Sequence, residues 1–423
     1  MKKIRWFLAV LLFLVTVLNY IDRQVFSILA PDLQDAMRWS ELDYSRMVNA
    51  FQLAYAITML LSGRVLDRIG ARLGLAASVV LWSIAEAAHA LARTPLGFGI
   101  ARFTLGFGEA ANFPAALKAV SEWFPAKERA LATGLFNSGV ALGTIAASIG
   151  VPLTAAAFGW RATFVVTGVL GLLWVPFWWV GYRPQAATAS SSQSAAAPSI
   201  SWRTLIGLKQ TWAYALTKSL GDPIWWFYLF WLPKYLAAEF HVRGTDVIPY
   251  LTTVYVCADI GCLAAGWLSS ALVNRGASLN AARKGTMALL AAVMTPSVVV
   301  AGTLHDPKLA IALIAIACGA HQAWSTMVFT MATDLFPSSA VGSVSGFGGF
   351  VAGIVSIGVA EAVGRVLDLD ATLYTPIFIA AGLLYPLALG VFHLLSPRME
   401  PAQWPADTAI ALSDGRRPRP SSV

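Results

Sequence analysis

Five ionisable side chains stand out within the long apolar stretches of this 423-residue chain: Asp22, Arg23, Arg102, Glu109 and Lys218. An ionisable group near the middle of a membrane helix costs at least ~2.5–3.5 kcal/mol, so by default it marks a binding pathway or a proton relay. Basic side chains can bind an anion, and a carboxyl group can take up and release a proton. The set therefore predicts anion binding coupled to proton movement. The alternative is a buried ion-pair network with a purely structural role.

The spacing of Arg102 and Glu109 indicates how these two residues can act together. They are seven residues apart, so they share one face of a helix and lie about 10 Å apart along its axis. Gly106 and Gly108 between them would let a second helix approach closely. This pattern predicts a cationic anchor for an anionic substrate beside a carboxyl group that one proton can occupy.

Asp22 and Arg23 are neighbours in sequence and must point in different directions. Adjacent residues of a helix project about 100° apart, so both cannot face one point. We expect Arg23 to face a central cavity, where its planar guanidinium suits a carboxylate. We expect Asp22 to pair sideways or to titrate.

A third group of candidate residues lies around Lys218. Asp222 follows it by four residues, so the two side chains could form an ion pair across one helical turn. Pro223 would break the helix there, and broken helices at membrane depth usually line a cavity. The aromatic run at residues 225–228 could then pack against a sugar face, or simply belong to the aromatic belt of the membrane interface.

An internal repeat adds two candidates in the second half of the chain. Residues 122–125 (Glu-Trp-Phe-Pro) resemble residues 334–337 (Asp-Leu-Phe-Pro), an offset of 212. The same offset carries Glu109 to His321, with Gln322 beside it. The repeat is typical of two related halves, and it predicts substrate contact at His321. A hydrogen-bonded packing histidine is the alternative.

The composition sets the class of protein within which these residues act. Hydrophobic residues make up 57% of the chain and charged residues 12%, whereas a soluble domain carries about 25% charged residues. The net charge of +8 is spread singly between apolar runs, which does not fit nucleic-acid binding. Cys257, Cys262 and Cys318 lie in apolar stretches without metal or disulfide spacing. No metal cluster, nucleophile motif or nucleotide-binding loop indicates an enzyme or a bound cofactor.

Twelve stretches are long and apolar enough to span a membrane. They lie near residues 6–30, 45–66, 74–93, 95–122, 130–152, 161–182, 211–237, 247–273, 284–304, 308–333, 340–364 and 372–395. We therefore predict an all-α polytopic membrane protein with twelve transmembrane helices in two pseudo-symmetric six-helix bundles. The bundles are residues 1–182 and 211–396, with a cytoplasmic linker at 183–210 and a disordered cytoplasmic tail at 397–423.

The distribution of Lys and Arg predicts the orientation. With the N-terminus inside, 18 basic residues lie in cytoplasmic segments and 8 in outer loops, which leaves 4 of the 30 in the membrane region. Cytoplasmic loops carry the excess of basic residues, so both termini are predicted to be cytoplasmic. The basic residues before the first apolar run could also begin a signal peptide. No small-residue cleavage site follows the run, so we interpret it as a retained helix.

One segment carries a family resemblance. It is the run from Gly63 through Asp67, Arg68 and Gly70 to Arg72, located after the second predicted span. It resembles the loop between helices 2 and 3 of the major facilitator superfamily. The resemblance implies the twelve-helix major facilitator fold, with these residues forming a cytoplasmic latch between helices.

Within that superfamily the chain resembles the anion:cation symporter family, and in particular the bacterial hexuronate transporters. The segments that carry this likeness are residues 19–23, 122–129, 222–233 and 334–337. The resemblance implies a proton-coupled symporter that imports a hexuronate such as glucuronate or galacturonate by alternating access. It also implies a multi-pass protein of the bacterial inner membrane, in contact with lipid, with protons as the coupling ion; we expect a monomer.

The same resemblance implies roles for single residues. Asp22 and Glu109 would be the protonation sites, and Arg23 and Arg102 would handle charge and substrate. The implied substrate contacts also include Tyr20, Tyr55, Asn137, His321 and Gln322. Relatives that move other anions can carry an arginine in helix 7; here Lys218 takes over that function, or the function is absent.

Three other functions remain open at this stage. An aldonate or aldarate symporter, for galactonate or glucarate, would share the pocket chemistry. An efflux transporter of the same fold would favour net acid in its cavity, whereas Arg23, Arg102 and Lys218 make this cavity basic. A membrane sensor of the same fold would not need the full set of acids and bases.

Overall fold

The computed structural model describes residues 2–124, 126–182, 202–336 and 338–402, which are helical almost throughout. The helices are α1 Lys2–Ile28, α2 Ala30–Met37, α3 Glu41–Ala88, α4 Pro95–Glu109, α5 Asn112–Trp123, α6 Ala126–Asn137, α7 Gly139–Phe158, α8 Trp160–Gly181, α9 Trp202–Gly207, α10 Lys209–Phe240, α11 Ile248–Asn274, α12 Leu279–Ala301, α13 Pro307–Leu335, α14 Ser338–Leu369 and α15 Tyr374–Leu395. Within these ranges, eight helical segments are long and apolar enough to cross a membrane.

Each of the twelve predicted spans coincides with helix in the structure. Helix α3 contains two of them, joined at Gly70, whose φ of 78° is a left-handed conformation that glycine adopts without strain. Two other spans are each divided between consecutive helices, α4 with α5 and α6 with α7. The centre of the predicted linker and most of the predicted tail lie outside the described residues.

The expectation that Pro223 breaks its helix is wrong. Helix α10 continues from Lys209 to Phe240 with both Pro223 and Pro233 inside it. A proline removes one backbone hydrogen bond, but membrane helices tolerate this where neighbouring helices and local adjustments satisfy the freed carbonyl. Helices α14 and α15 pack along α10 and surround it. The aromatic residues after Pro223 are therefore positioned by a continuous helix.

The helices form two groups that meet along a central contact. In the first half α3 packs on α4 and α8, and α1 packs on α7; in the second half α11 packs on α13, and α12 on α15. The halves touch through α3 with α14, α7 with α11 and α1 with α10. Side chains on α1, α3, α4 and α10 therefore meet at the middle of the molecule.

Among the described residues, most polar contacts between the halves lie at one end, which we call the closed end. It comprises residues 34–45 of the first half with residues 230–243 and 360–368 of the second. Tyr44 Oη donates to the Phe230 carbonyl, and Ser45 Oγ donates to the Ala360 carbonyl at 2.6 Å. Asp368 Oδ1 accepts the Glu41 amide N–H at 3.1 Å and so caps the start of α3 from the opposite half. Closure at this end therefore involves several hydrogen bonds between the halves.

Candidate functional site

Arg23 is the centre of a polar group buried between the halves. Its Nε and Nη2 atoms both lie 2.9 Å from Glu109 Oε2, and Nη2 also donates to Asn19 Oδ1 at 3.2 Å. The Arg23 side chain is 4% exposed and that of Glu109 is 0% exposed. Two charge-assisted contacts in a buried place are typical of a strong ion pair.

Aromatic rings from both halves enclose the Arg23 guanidinium. Its Cζ atom lies 4.5 Å from the centre of the Tyr20 ring, 5.0 Å from Tyr55 and 5.8 Å from Trp226. Trp226 belongs to α10 of the second half and packs edge-on against Tyr55. These are cation–π distances, so the rings stabilise the positive charge without occupying its hydrogen-bond donors. Three predicted site residues, Tyr20, Arg23 and Tyr55, therefore lie together with Glu109.

Close packing of α4 on α3 positions Glu109. A side chain at Gly106 would place its first carbon 2.5 Å from the Phe51 carbonyl oxygen, and one at Gly108 would lie 2.9 Å from Trp82. Glycine at these two positions lets α4 approach α3 at backbone contact. The predicted close approach thus occurs. On the same helix, buried Glu109 contacts Arg23 of α1 and buried Arg102 lies over the Phe26 ring of α1.

Arg102 is fully buried but differs from Arg23 in its contacts. Its Cζ atom lies 4.4 Å from the Phe51 ring, 4.9 Å from Phe26 and 5.6 Å from Phe230 of the second half. Among the described residues no hydrogen-bond partner reaches any of its three guanidinium nitrogens. Glu109 therefore pairs with Arg23 of α1, and not with Arg102, which belongs to the same helix α4.

Two further acids lie beside this group. Asp22 is fully buried beside Trp82 and Glu109, and within the described part of the chain neither of its carboxyl oxygens accepts a hydrogen bond. Glu86 on α3 is also fully buried, and the Thr167 hydroxyl of α8 contacts it at 3.3 Å. Glu86 and the adjacent His89 were missed in the sequence. The signal was present, because both lie in a predicted span and the rule that singled out Asp22 applies equally to them.

The second half contributes a separate set of polar residues. Lys218 forms the expected ion pair with Asp222 at 2.7 Å, and its Nζ lies 4.6 Å from the Phe329 ring. His321 Nδ1 lies 2.8 Å from the Tyr385 hydroxyl, and its ring stacks on Trp225 at 5.6 Å. The tryptophans of the 225–228 run thus face different partners: Trp225 packs on His321, whereas Trp226 packs on Arg23.

The remaining predicted contacts are less closely tied to the Arg23 group. Gln322 is half-buried beside His321. Asn137 is the last residue of α6 and is exposed, and in the described part of the chain no contact joins it to Arg23.

The predicted latch is described only in part. Arg72 Nη2 donates to the Trp179 carbonyl at 2.7 Å, and its guanidinium lies over the Trp179 ring, so it ties α3 to α8 within the first half. Arg68 is exposed, and Gly70 makes the turn inside α3. The surroundings of Gly63 and the side chain of Asp67 lie outside the described part.

The ion pairs of the closed end were also missed in the sequence. Lys234 Nζ pairs with Glu41 Oε2, and both side chains are nearly buried, at 4% and 10% exposed. Arg243 pairs with Asp35 at the surface, where the side chains are 44% and 65% exposed. Each pair joins the two halves. The partners are about 200 residues apart in sequence and lie in predicted outer segments, so no local pattern connects them.

Comparison with known proteins identifies the family. The profile described as "Major Facilitator Superfamily" matches residues 12–360. The chain belongs to the major facilitator superfamily. A bacterial homologue of the human lysosomal transporter Spinster, solved in an inward-facing and unoccupied conformation, has a TM-score of 0.77 at 18% identity and covers 94% of this chain and 98% of its own. The predicted major facilitator fold is therefore confirmed.

Relatives within the superfamily are transporters of sugar acids. The hexuronate transporter of Escherichia coli K12 is 31% identical over 412 residues, which cover 93% of this chain and 92% of the relative. The galacturonate transporter of Dickeya chrysanthemi is 32% identical over 282 residues, which cover 63% and 82%. Membership of this superfamily makes the chain a membrane transporter and not an enzyme.

Proposed function

We propose that this major facilitator protein is a proton-coupled symporter that imports a hexuronate such as glucuronate or galacturonate. The relatives that transport hexuronates and galacturonate support the substrate class. The observation that carries the proposal is the buried Arg23–Glu109 pair, enclosed by Tyr20 and Tyr55 of one half and Trp226 of the other. A basic group that can change partners lies at the contact of the halves.

Coupling follows from competition for Arg23. An ionised Glu109 occupies the guanidinium, and a substrate carboxylate needs the same donors. Protonation of Glu109 weakens its hold on Arg23 and frees the planar donors for two-point binding of the substrate. Loss of the proton restores the internal pair and expels the sugar acid. Asp22 is the second protonation site, and its position next to Glu109 lets the state of one acid influence the other.

Arg102 receives the substrate on the side of the closed end. Its guanidinium lies under the closed end, against Phe230, whose carbonyl also accepts the Tyr44 hydroxyl. Separation of the halves at this end removes Phe230 from Arg102 and opens the guanidinium to water. Arg102 therefore attracts the anion when the closed end is open, and Arg23 holds it when that end is shut. This is alternating access, in which the halves rock about a site at the midplane.

The sugar body contacts the aromatic and polar side chains around this pair. The rings of Tyr20, Tyr55 and Trp226 offer apolar faces to the C–H groups of a pyranose. Lys218 lies close enough to Tyr55 to interact with it electrostatically, so it can offer a cation on the second-half side of the site once Asp222 releases it. Further contacts with the substrate would form if the halves closed more tightly around it; these involve His321, Gln322 and Asn137.

The orientation follows from the positive-inside bias. Both termini are cytoplasmic, in the inner membrane of a bacterium, so the closed end faces outward and this conformation is inward-facing. The working unit is a monomer whose halves, residues 1–182 and 211–396, are joined by the linker at 183–210. The Gly63–Arg72 segment is the latch that closes the cytoplasmic side when the outer end opens.

The test is uptake of labelled glucuronate into proteoliposomes with an imposed pH gradient. Uptake that depends on the gradient, disappears with an ionophore and is blocked best by unlabelled galacturonate establishes hexuronate–proton symport. Transport of galactonate or glucarate without glucuronate uptake would replace the substrate class and keep the coupling. Uptake of glucuronate that ignores the pH gradient would overturn proton coupling.

A further inference from the structure

Glu86 is a buried carboxyl group that the proposed transport cycle does not use. Its side chain lies between α3 and α8, and it is 0% exposed. Three charged neighbours act on it electrostatically, Asp22 from α1 and Arg102 and Glu109 from α4. Among the described residues, the Thr167 hydroxyl is the group that forms a hydrogen bond with its carboxyl oxygens, while Glu86 Oε2 has no hydrogen-bond partner. An ionised carboxylate with a single neutral hydrogen bond in such a place is strongly disfavoured and tends to be neutralised.

The contacts of Thr167 show how little hydrogen bonding the Glu86 carboxyl group receives. Its Oγ1 atom is 3.3 Å from Glu86 Oε1, 3.1 Å from the Thr163 carbonyl and 3.3 Å from the Phe164 carbonyl. A hydroxyl has one hydrogen to donate and two lone pairs that accept. The two carbonyls belong to α8 and already accept helical amides, so they place no demand on the hydroxyl hydrogen. Thr167 therefore offers Glu86 one hydrogen bond in either direction, which satisfies one oxygen of a carboxylic acid but leaves an ionised carboxylate short of donors.

His89 cannot supply the compensating charge. Its Nδ1 lies 2.8 Å from the Ala85 carbonyl, so that nitrogen carries a hydrogen and donates it there. The distance from Nδ1 to Glu86 Oε2 is 3.8 Å, beyond a hydrogen bond. Nε2 is buried without an acceptor among the described residues, which favours the neutral ring.

We propose that Glu86 is a proton-binding site in its own right and holds a proton that stays with the protein. The charges of the buried group agree with this assignment. Asp22, Glu86 and Glu109 together with Arg23 and Arg102 would carry one excess negative charge if every group were ionised. A resident proton on Glu86 removes that excess and leaves two acids against two arginines.

A consequence for transport rests on the proposed function. With Glu86 neutral throughout, its proton is not among those carried. The coupling protons are then limited to those on Asp22 and Glu109, so at most two protons move with each monoanion.

Infrared spectroscopy of the purified protein in lipid tests the site without any substrate. Glu86→Gln should remove intensity from the C=O stretch of protonated carboxylic acids. Thr167→Val keeps the side-chain volume, removes the hydroxyl that bonds to Glu86, and should shift the same band upward. The control Glu109→Gln should remove carboxylate intensity instead. An unchanged acid band in Glu86→Gln, or an unshifted band in Thr167→Val, would overturn the proposal.

Transport by Glu86→Gln gives an independent reading, because glutamine resembles a protonated glutamate in shape and charge. We expect this variant to retain pH-driven glucuronate uptake. Loss of gradient-driven uptake with preserved exchange would mean that the Glu86 proton is itself transported, which contradicts a resident proton. If the unmodified protein takes up no glucuronate, the proposed function fails while the infrared test of Glu86 stands.

Discussion

Removal of Lys234 should open the closed end far more effectively than removal of any surface charge there. Lys234 and Glu41 form an ion pair between the halves with side chains 4% and 10% exposed, and the Lys234 Nζ also lies 4.4 Å from the Tyr44 ring. Lys234→Met leaves Glu41 charged and nearly buried as long as this end stays shut. Opening returns the carboxylate to water, so the substitution penalises the closed conformation selectively.

The magnitude follows from the burial of the pair. Removal of one partner of a buried ion pair costs about 3–5 kcal/mol, and each ~1.4 kcal/mol changes an equilibrium tenfold. The ratio of open to closed molecules should therefore rise by roughly two to three and a half orders of magnitude. The matched control is Arg243→Gln, which breaks the exposed pair with Asp35 at the same end. An exposed pair contributes about 0.2–1 kcal/mol, so this control should change the ratio by about fivefold at most.

Distances between spin labels measure the ratio. Ala36 and Thr245 are exposed on opposite halves of the closed end and belong to neither ion pair, so they can carry the labels once the three native cysteines are replaced. Lys234→Met should populate a longer distance that Arg243→Gln does not. The double variant Lys234→Met with Glu41→Met removes the unpaired charge and should return most molecules to the short distance. An unaltered distribution in Lys234→Met, or equal shifts in both single variants, would refute the assignment of this pair as the principal electrostatic contact of the closed end.

Three further predictions concern coupling, binding and packing. Glu109→Gln should abolish gradient-driven accumulation of glucuronate and preserve exchange, measured in proteoliposomes; full accumulation would exclude Glu109 as a coupling acid. Arg23→Lys keeps the charge but loses the planar donors, and hydrogen bonds to charged groups contribute ~1.5–3 kcal/mol, so KM for glucuronate should rise about tenfold or more. Gly261→Ala would place a methyl carbon against the Gly319 carbonyl oxygen, closer than van der Waals contact allows, so the melting temperature in detergent should fall.

Each of these variants has a control within the chain. Glu361→Gln changes a carboxyl group paired with the exposed Arg365, so accumulation should persist. Arg161 is an exposed arginine over the Trp160 ring, and Arg161→Lys should leave KM unchanged. Gly285 has open space where a side chain would be added, so Gly285→Ala should not lower the melting temperature.

The fold could be predicted from the sequence because membrane solvation leaves few choices. Lipid offers no hydrogen bonds to the backbone, so twelve apolar stretches of sufficient length have to be helices. The prediction that Pro223 breaks its helix failed because it considered one helix at a time. The packing of α14 and α15 along α10, which accompanies the continuous helix, is a tertiary property that no pattern within residues 209–240 contains.

The members of the site were easier to predict than their pairing. The cost of a buried charge singled out Asp22, Arg23, Arg102 and Glu109 without knowledge of the fold. Helical spacing placed Glu109 on the same face as Arg102, yet Glu109 bonds to Arg23. The choice depends on the placement of α1 beside α4, a tertiary relation that no spacing within α4 contains.

The different surroundings of the two arginines argue that they act in turn. Arg23 holds an acid that can release it, whereas Arg102 is surrounded by rings, one of which, Phe230, belongs to the half that must move. If the two arginines had identical surroundings, the site would bind the anion equally in both conformations. Movement of the halves would then not change its affinity for the anion. Here the contact that shuts the closed end also covers Arg102. In the cycle that we propose, closing this end therefore withdraws one positive charge from the substrate, which leaves toward the inside once Glu109 loses its proton and takes back Arg23. On this reasoning the order of events is set by Phe230 and Glu109, and Arg23 and Arg102 respond to them.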